Sequence, residues 1–337
     1  MSYNSFGIDL GTSNIKIYNR NNDSIMVEKN MIAIENKNTL FAYGDSAFEM
    51  YEKAPGNIHI SYPLCNGVIA DIKNMETLIR NFVTDQLEGS IKPAEYYIAV
   101  PTDVTEVEKR AFFDLIKDAN LKAKKIMIVE KAIADGLGVN IDVKNSQGVL
   151  LVDVGYDTTE ISILSLGGIV LSHLINTGGK KFDEAIRAAV RQEYSLIIGG
   201  KTAENVKISL TELEKEGKGA IVYGRDLASG LPVEREIPTK LIDDTLKEQF
   251  KVIMDNIKVI LERTPPELGA DIYRHGIYLT GGASQVNHFG EMISKGTGLQ
   301  VNMAEQPIAS VAIGLSKIIK DDNYKSVAYS IEGIKSR

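Results

Sequence analysis

Tryptophan is absent from this 337-residue chain, which has only one cysteine, Cys65, and four histidines. A lone cysteine closes no internal disulfide, and without CxxC pairs or Cys/His clusters there is no zinc framework to read. This usage fits a reducing cytosol. Basic charge is also short: 38 Lys and Arg stand against 45 Asp and Glu, a formal net charge of −7. That balance has the wrong sign for a protein that coats nucleic acid by neutralising phosphates. Apolar runs are brief, as at Val149–Val152, far below the roughly 18 residues that suggest a membrane span. The polar start, Met1–Asn4, runs straight into strand-like sequence, so no secretory signal is expected. With 44% hydrophobic and 25% charged residues the chain is neither disordered nor fibrous. Its 337 residues, at about 150 per domain, predict two domains.

Short strands open the chain at Phe6–Leu10, Ile15–Tyr18, Ser24–Val27 and Met31–Ile34, each bounded by Gly, Asn or Asp. Helical spacing follows over Met75–Leu87, then a strand at Tyr96–Val100 and a helix opened by a capping box of Thr105 and Glu108. A further strand is expected at Ile126–Val129. After the polar stretch Asp142–Gln147 the opening pattern recurs: Val149–Val154, Glu160–Leu166, a Gly167-Gly168 turn and Ile169–Ile175. Helices are predicted at Phe182–Tyr194 and Thr202–Lys215, and a long amphipathic helix carries Ile242, Leu246, Phe250, Ile253, Ile257 and Ile260 until Pro265-Pro266 stops it. Ile277–Thr280 reads as the last clear buried strand. Hairpins followed by alternating strands and helices, twice over, predict two related α/β lobes with the site in the cleft between them.

The strongest local signal is the pair Asp9-Leu10-Gly11-Thr12-Ser13-Asn14 and Asp153-Val154-Gly155-Tyr156-Asp157-Thr158-Thr159. Each puts an Asp at the end of a buried strand ahead of a glycine-containing turn with hydroxyls. Glycine there allows positive φ and close backbone approach, so successive N–H groups can line an anion site. One such turn would be read as an ordinary hairpin; the duplication favours phosphate. Asp9 and Asp153 could hold Mg²⁺, which keeps most of its waters beside a few carboxylates. Thr280-Gly281-Gly282-Ala283-Ser284 ends a strand in a turn that opens a helix, where backbone can pack on a base or phosphate. Gly200-Lys201-Thr202 mimics a P-loop but lacks its first glycine and preceding strand, so Thr202 is read as a helix N-cap. His59, His173, His275 and His288 have no ligand spacing and are assigned structural roles.

In order, these loops resemble the actin/Hsp70/sugar-kinase superfamily, and further segments narrow the resemblance. Pro55-Gly56-Asn57-Ile58, Asn66-Gly67-Val68-Ile69-Ala70-Asp71, Thr105–Ala111, Ser165–Val170, Gly224–Leu227 and Thr264-Pro265-Pro266-Glu267-Leu268 are similar to the bacterial actin MreB and its Mbl-type paralogues. The resemblance spans Phe6 to Lys317. It implies an actin-like two-lobed α/β ATPase fold with duplicated RNase H-like domains. Lobe I would be residues 1–138 with 315–337 (subdomain IB at 30–66), and lobe II 139–314 (IIB at 180–240).

The resemblance also implies roles. Thr12, Ser13 and Asn14 form the first phosphate loop, Gly155, Tyr156 and Asp157 the second. Gly178 and Gly179 join the nucleotide site. Glu204 and Lys207, with Asn205 and Val206 between them, match ribose and base contacts, and Gly281, Gly282, Ala283 and Ser284 make the adenosine turn. On residue pattern alone, Glu204 and Lys207 would read as a solvated i,i+3 ion pair. Two departures stand out. The family's first interdomain connection carries two acids, the second orienting the attacking water; here it reads Glu130-Lys131-Ala132-Ile133-Ala134-Asp135-Gly136, with Lys131 at the catalytic position. The family's Gly-Gly-Gly-Thr-Thr is Gly155-Tyr156-Asp157-Thr158-Thr159; Thr158, the other water-positioning residue, is retained, and Asp157 is a weaker candidate for a replacement base. The expectation is a cytoplasmic filament that binds ATP and Mg²⁺, supports cell shape or movement, and hydrolyses slowly. Self-assembly is the implied partnership, with paralogues or membrane adaptors beside it. Membrane contact would be weak, because Met1–Ser5 is too short for an amphipathic anchor and Gln86–Lys92 offers only Leu87 and Ile91. The charged tail Lys320–Arg337 is read as disordered or a partner contact. The alternative is a small-molecule phosphotransferase of the same superfamily, which would need an acceptor-hydroxyl base and substrate insertions.

Overall fold

The computed structural model describes residues 3–87 and 89–332. Two sheets with matching strand order organise it. In the first, Ser24–Lys29, Asn14–Asn19 and Asn4–Leu10 form an antiparallel meander whose inner strand pairs in parallel with Ala94–Val100, which pairs in parallel with Ala123–Glu130. In the second, Gly168–Ile175, Thr159–Ser165 and Val149–Val154 repeat the meander, and the inner strand pairs in parallel with Ile277–Thr280 and then Val301–Met303. The inner strands are buried on both faces, and the second, Val149–Val154, reads as an apolar run broken only by Asp153. Leu166 and Gly167, both at positive φ, make the second lobe's hairpin turn, one residue earlier than expected.

Among the described residues ten α-helices clothe these sheets: α1 Asp45–Met50, α2 Ile72–Asp85, α3 Glu106–Asp118, α4 Lys131–Gly138, α5 Gly179–Tyr194, α6 Gly200–Glu216, α7 Thr239–Arg263, α8 Pro266–His275, α9 Phe289–Thr297 and α10 Ser310–Lys320. The Thr105–Glu108 capping box starts α3 as predicted, and α7 ends before Pro265. The first core gathers Phe6, Ile8, Leu78, Phe82 and Phe112; the second gathers Val152, Ile161, Phe182, Phe250 and Phe289. Helices α4 and α10 lie between the sheets, where Leu137, Leu315 and Ile319 pack against Tyr97, Met127 and Leu151. Glycines let these helices touch backbone to backbone: a Cβ on Gly314 would fall 1.6 Å from the Ala134 carbonyl oxygen, and one on Gly138 1.9 Å from that of Ser310.

Two expectations fail here. Thr202 is not an N-cap: α6 starts at Gly200, its cap residue is Gly199, and the Gly200 N–H donates to Glu52 at 3.1 Å, so a carboxylate 148 residues away takes the capping role. The tail is docked as far as it is described. Ala328–Tyr329 extends the first sheet, Ile331 is buried, and the Tyr329 hydroxyl donates to Glu130 at 2.7 Å. Residues 333–337 lie outside the described residues, as do Met1, Ser2 and Glu88.

Candidate functional site

The repeated hairpins place Asp9 opposite Lys16 and Asp153 opposite Glu160 on the facing strands. Equivalent positions thus carry opposite charges. Lys16 pairs with Asp9 at 3.0 Å. On the other side Lys131, the first residue of α4, reaches Asp153 with Nζ 2.5 Å from Oδ2, and only 18% of its side-chain surface is exposed. Burial acts to lower the Lys131 pKa, but the negative fields of Asp153, Asp9 and Glu160 outweigh it and push it well above the ordinary lysine value. Lys131 stays charged. Glu160 is buried and accepts from the Thr102 hydroxyl at 2.5 Å; burial pushes its carboxyl up to about 7 even against Lys131.

Gly11 and Gly155 are absent from the positive-φ residues, so the two loops use glycine for close approach instead of left-handed backbone. A Cβ on Gly11 would fall 2.6 Å from the Asn14 carbonyl oxygen. Gly281 does need its freedom: at φ +83° a Cβ would lie 2.3 Å from both Asp153 Oδ1 and the Val154 carbonyl oxygen. The turn opens one 3₁₀ turn, Gly282–Gln285, and the α-helix starts only at Phe289.

These elements border one cavity of about 610 Å³, within the range of small-molecule sites. It brings together Asp9, Gly11, Thr12, Ser13, Asn14, Lys131, Asp153, Gly155, Tyr156, Asp157, Thr158, Gly179, Glu204, Lys207, Gly281, Gly282 and Ala283. Four expected contacts do not border it. Gly178 caps α5 against the backbone of Gly155 and Tyr156, and Asn205 faces solvent a third of a turn from Glu204. Val206 belongs to the second core, and Ser284 donates its hydroxyl to the Gly281 carbonyl at 2.6 Å. Lys207 is buried and bonded to Asp183 (2.6 Å) and to the Gly179 carbonyl (3.1 Å), not solvated.

Tyr156 and Asp157, the two side chains after Gly155 in the second loop, both reach the first lobe. Asp157 accepts from the Asn66 N–H at 2.9 Å, and Tyr156 packs on Tyr62 with ring centroids 6.0 Å apart. Lys29 pairs with Glu204 at 3.5 Å, Lys201 donates to the Phe48 carbonyl, and both ammoniums sit over the Phe48 ring. Sequence reasoning missed Lys16, Lys29, Glu160, Asp135 and Asp183. One signal was available: Lys16 and Glu160 each follow their Asp by 7 residues.

Asp135 lies beneath the cleft, fully buried, accepting from the Thr280 hydroxyl at 2.5 Å; its other oxygen has no hydrogen-bond partner among the described residues. Burial, then the charge of Asp153, pushes it up to about 7. A carboxyl whose pKa is raised by folding binds a proton more tightly in the folded state, so its stabilisation is complete below about pH 4 and fades as pH rises through about 7. Thermal melts should therefore show stability falling between about pH 4 and about pH 7, the window between the two pKa values, and Asp135→Asn should flatten that slope. A wild-type melting temperature that rises over the window would contradict this assignment.

The sequence pattern described as MreB/Mbl protein matches residues 3–326. The chain belongs to the MreB/Mbl family. It is 34% identical over 314 residues to the cell shape-determining protein Mbl of Bacillus subtilis, covering 91% of this chain and 93% of that one. It is 33% identical over 329 residues to MreB of Escherichia coli K12, covering 95% and 94%. Its fold is actin-like: MreB5 of Spiroplasma citri superposes with a TM-score of 0.88 at 33% identity, over 96% of this chain and 98% of that one. MamK shares the fold, with a TM-score of 0.78 at 20% identity over 94% of this chain and 99% of that one. The MreB/Mbl match thus embraces both sheets, both hairpins and the helices between them.

Proposed function

We propose that this MreB/Mbl member binds ATP with Mg²⁺ in the cleft and polymerises into filaments supporting cell shape or movement, with slow hydrolysis. The observation that carries this reading is the 2.5 Å ion pair of Lys131 with Asp153 on the cleft floor. By resemblance, Lys131 stands where the family's water-orienting acid stands. A carboxylate accepts a proton from water, whereas an ammonium has no acceptor, and losing such a group costs about 10² to 10⁴ in rate. Thr158 alone of the water-positioning pair remains. Asp157 is a poor substitute, since its oxygens are engaged by Asn66 and by Lys180 at 3.5 Å.

Nucleotide is favoured by the cavity's size, by the paired loops and by MreB5 of S. citri, which has been solved with ADP and with AMPPNP. The hard oxygen donors of Asp9 and Asp153 border the cavity and suit Mg²⁺ held through its waters, although each already pairs with an ammonium. When bound, Mg²⁺ would offset phosphate charge. Lobe I (1–138 with 315–337) and lobe II (139–314) would clasp the nucleotide, joined by α4 and α10. Polymerisation is favoured by the relatives' cell-shape role and by the fold, which MamK assembles into a double helical filament. Head-to-tail contact of such subunits is open and extends indefinitely. Among the described residues no helix is long and apolar enough to cross a membrane; we place the filaments in the cytoplasm, at most peripherally on the membrane's inner face, with paralogues or adaptors as further partners.

Sedimentation with ATP, with ADP and without nucleotide tests the reading. Pelleting that depends on nucleotide is expected. A strictly monomeric protein that phosphorylates a metabolite would establish the phosphotransferase instead.

A further inference from the structure

We infer that Lys131 is a tethered counter-ion that takes over much of the charge work of a divalent cation, so that nucleotide binding by this chain tolerates the removal of Mg²⁺. The inference rests on the ATP reading above. Three carboxylates, Asp9, Asp153 and Glu160, meet at the cleft floor where a polyphosphate would arrive. Uncompensated, they would repel it, and a diffusible divalent cation would be the usual remedy. Here two ammoniums already stand among them: Lys16 at 3.0 Å from Asp9, and Lys131 at 2.5 Å from Asp153. Glu160, itself buried, shares its charge with the Thr102 hydroxyl.

Lys131 borders the cavity and is only 18% exposed, so its field is weakly screened by solvent. An ammonium carries three N–H donors. Asp153 engages it on one side, and the remaining donors suit a phosphate oxygen. Because α4 carries the cation into the site, its local concentration does not depend on free metal.

Titration of the full-length protein with a fluorescent ATP analogue, in Mg²⁺ and in EDTA, provides the test. Wild type should weaken by less than about threefold in EDTA, whereas Lys131→Gln should weaken by about tenfold or more, the scale of one poorly screened charge pair. Lys131→Arg, which keeps the cation, should stay close to wild type. Wild-type affinity that collapses in EDTA overturns the inference and leaves the ATP reading standing, and that arm holds even if Lys131→Gln does not fold. Equal EDTA sensitivity in wild type and Lys131→Gln also overturns it. No affinity under either condition overturns both.

Discussion

Lys131→Glu is expected to raise steady-state ATP turnover by about 10- to 100-fold, at or below the bottom of the 10² to 10⁴ range for a positioned base. The substitution supplies an acceptor at the start of α4, beside the cavity that Thr158 also borders. The gain is held low because the new carboxylate joins Asp153, Asp9 and Glu160 and loses the ammonium that now offsets them. Like charges raise the pKa of a carboxyl. Turnover of the variant should therefore climb with pH through the neutral range and demand Mg²⁺ more strictly than wild type. The variant also leaves Asp153 without its partner, and breaking a buried pair costs about 3–5 kcal/mol, so turnover is best read with Mg²⁺ and ATP in excess. Phosphate release at saturating ATP decides the matter: brisk wild-type turnover that the substitution leaves unchanged would show that Lys131 does not limit hydrolysis.

Gly314→Ala should be the most damaging single methyl addition to the fold. Its Cβ would meet the Ala134 carbonyl oxygen at 1.6 Å, and the atom that must yield is backbone of α4. Overpacking costs about 1–3 kcal/mol and occasionally more. The loss here should be at least about 3 kcal/mol, because neither helix can retreat: α10 is packed on the first sheet through Leu315 and Ile319, and α4 carries Lys131 and Asp135 into the site. Gly269→Ala is the matched control. It lies in α8 with nothing within 4 Å of the added carbon, so it should be neutral or stabilise by up to about 1 kcal/mol through helix propensity. Denaturant midpoints of the two variants measure the contrast; similar midpoints would refute the tight α4–α10 contact.

The two hairpins were legible because everything that makes them is local. An apolar run, an Asp, a glycine-containing turn and a return strand fall within about 15 residues, and the same string occurs twice. The cap of α3 and the end of α7 were legible for the same reason. Thr202 misled because N-cap preference is a statement about the nearest hydroxyl, whereas α6 is capped by Glu52 from the other lobe. The tail misled because Lys320, Asp322, Lys325 and Glu332 are exposed while Ile331 and Tyr329 carry the contact.

Family, repeated architecture, the candidate loops and the lysine at position 131 can all be read from the residues in order, since each is a matter of residue type at short spacing. Folding determined the partners. Lys131 meets Asp153, Asp157 meets Asn66 across 91 residues, and Asp135 meets Thr280 across 145. Such contacts depend on how α4 and α10 set one sheet against the other, and on rotamers chosen by close packing. Whether Lys131 hung in solvent or sat charged among carboxylates was therefore a question of tertiary geometry, and its burial at the meeting of two hairpins is what supports the role proposed for it.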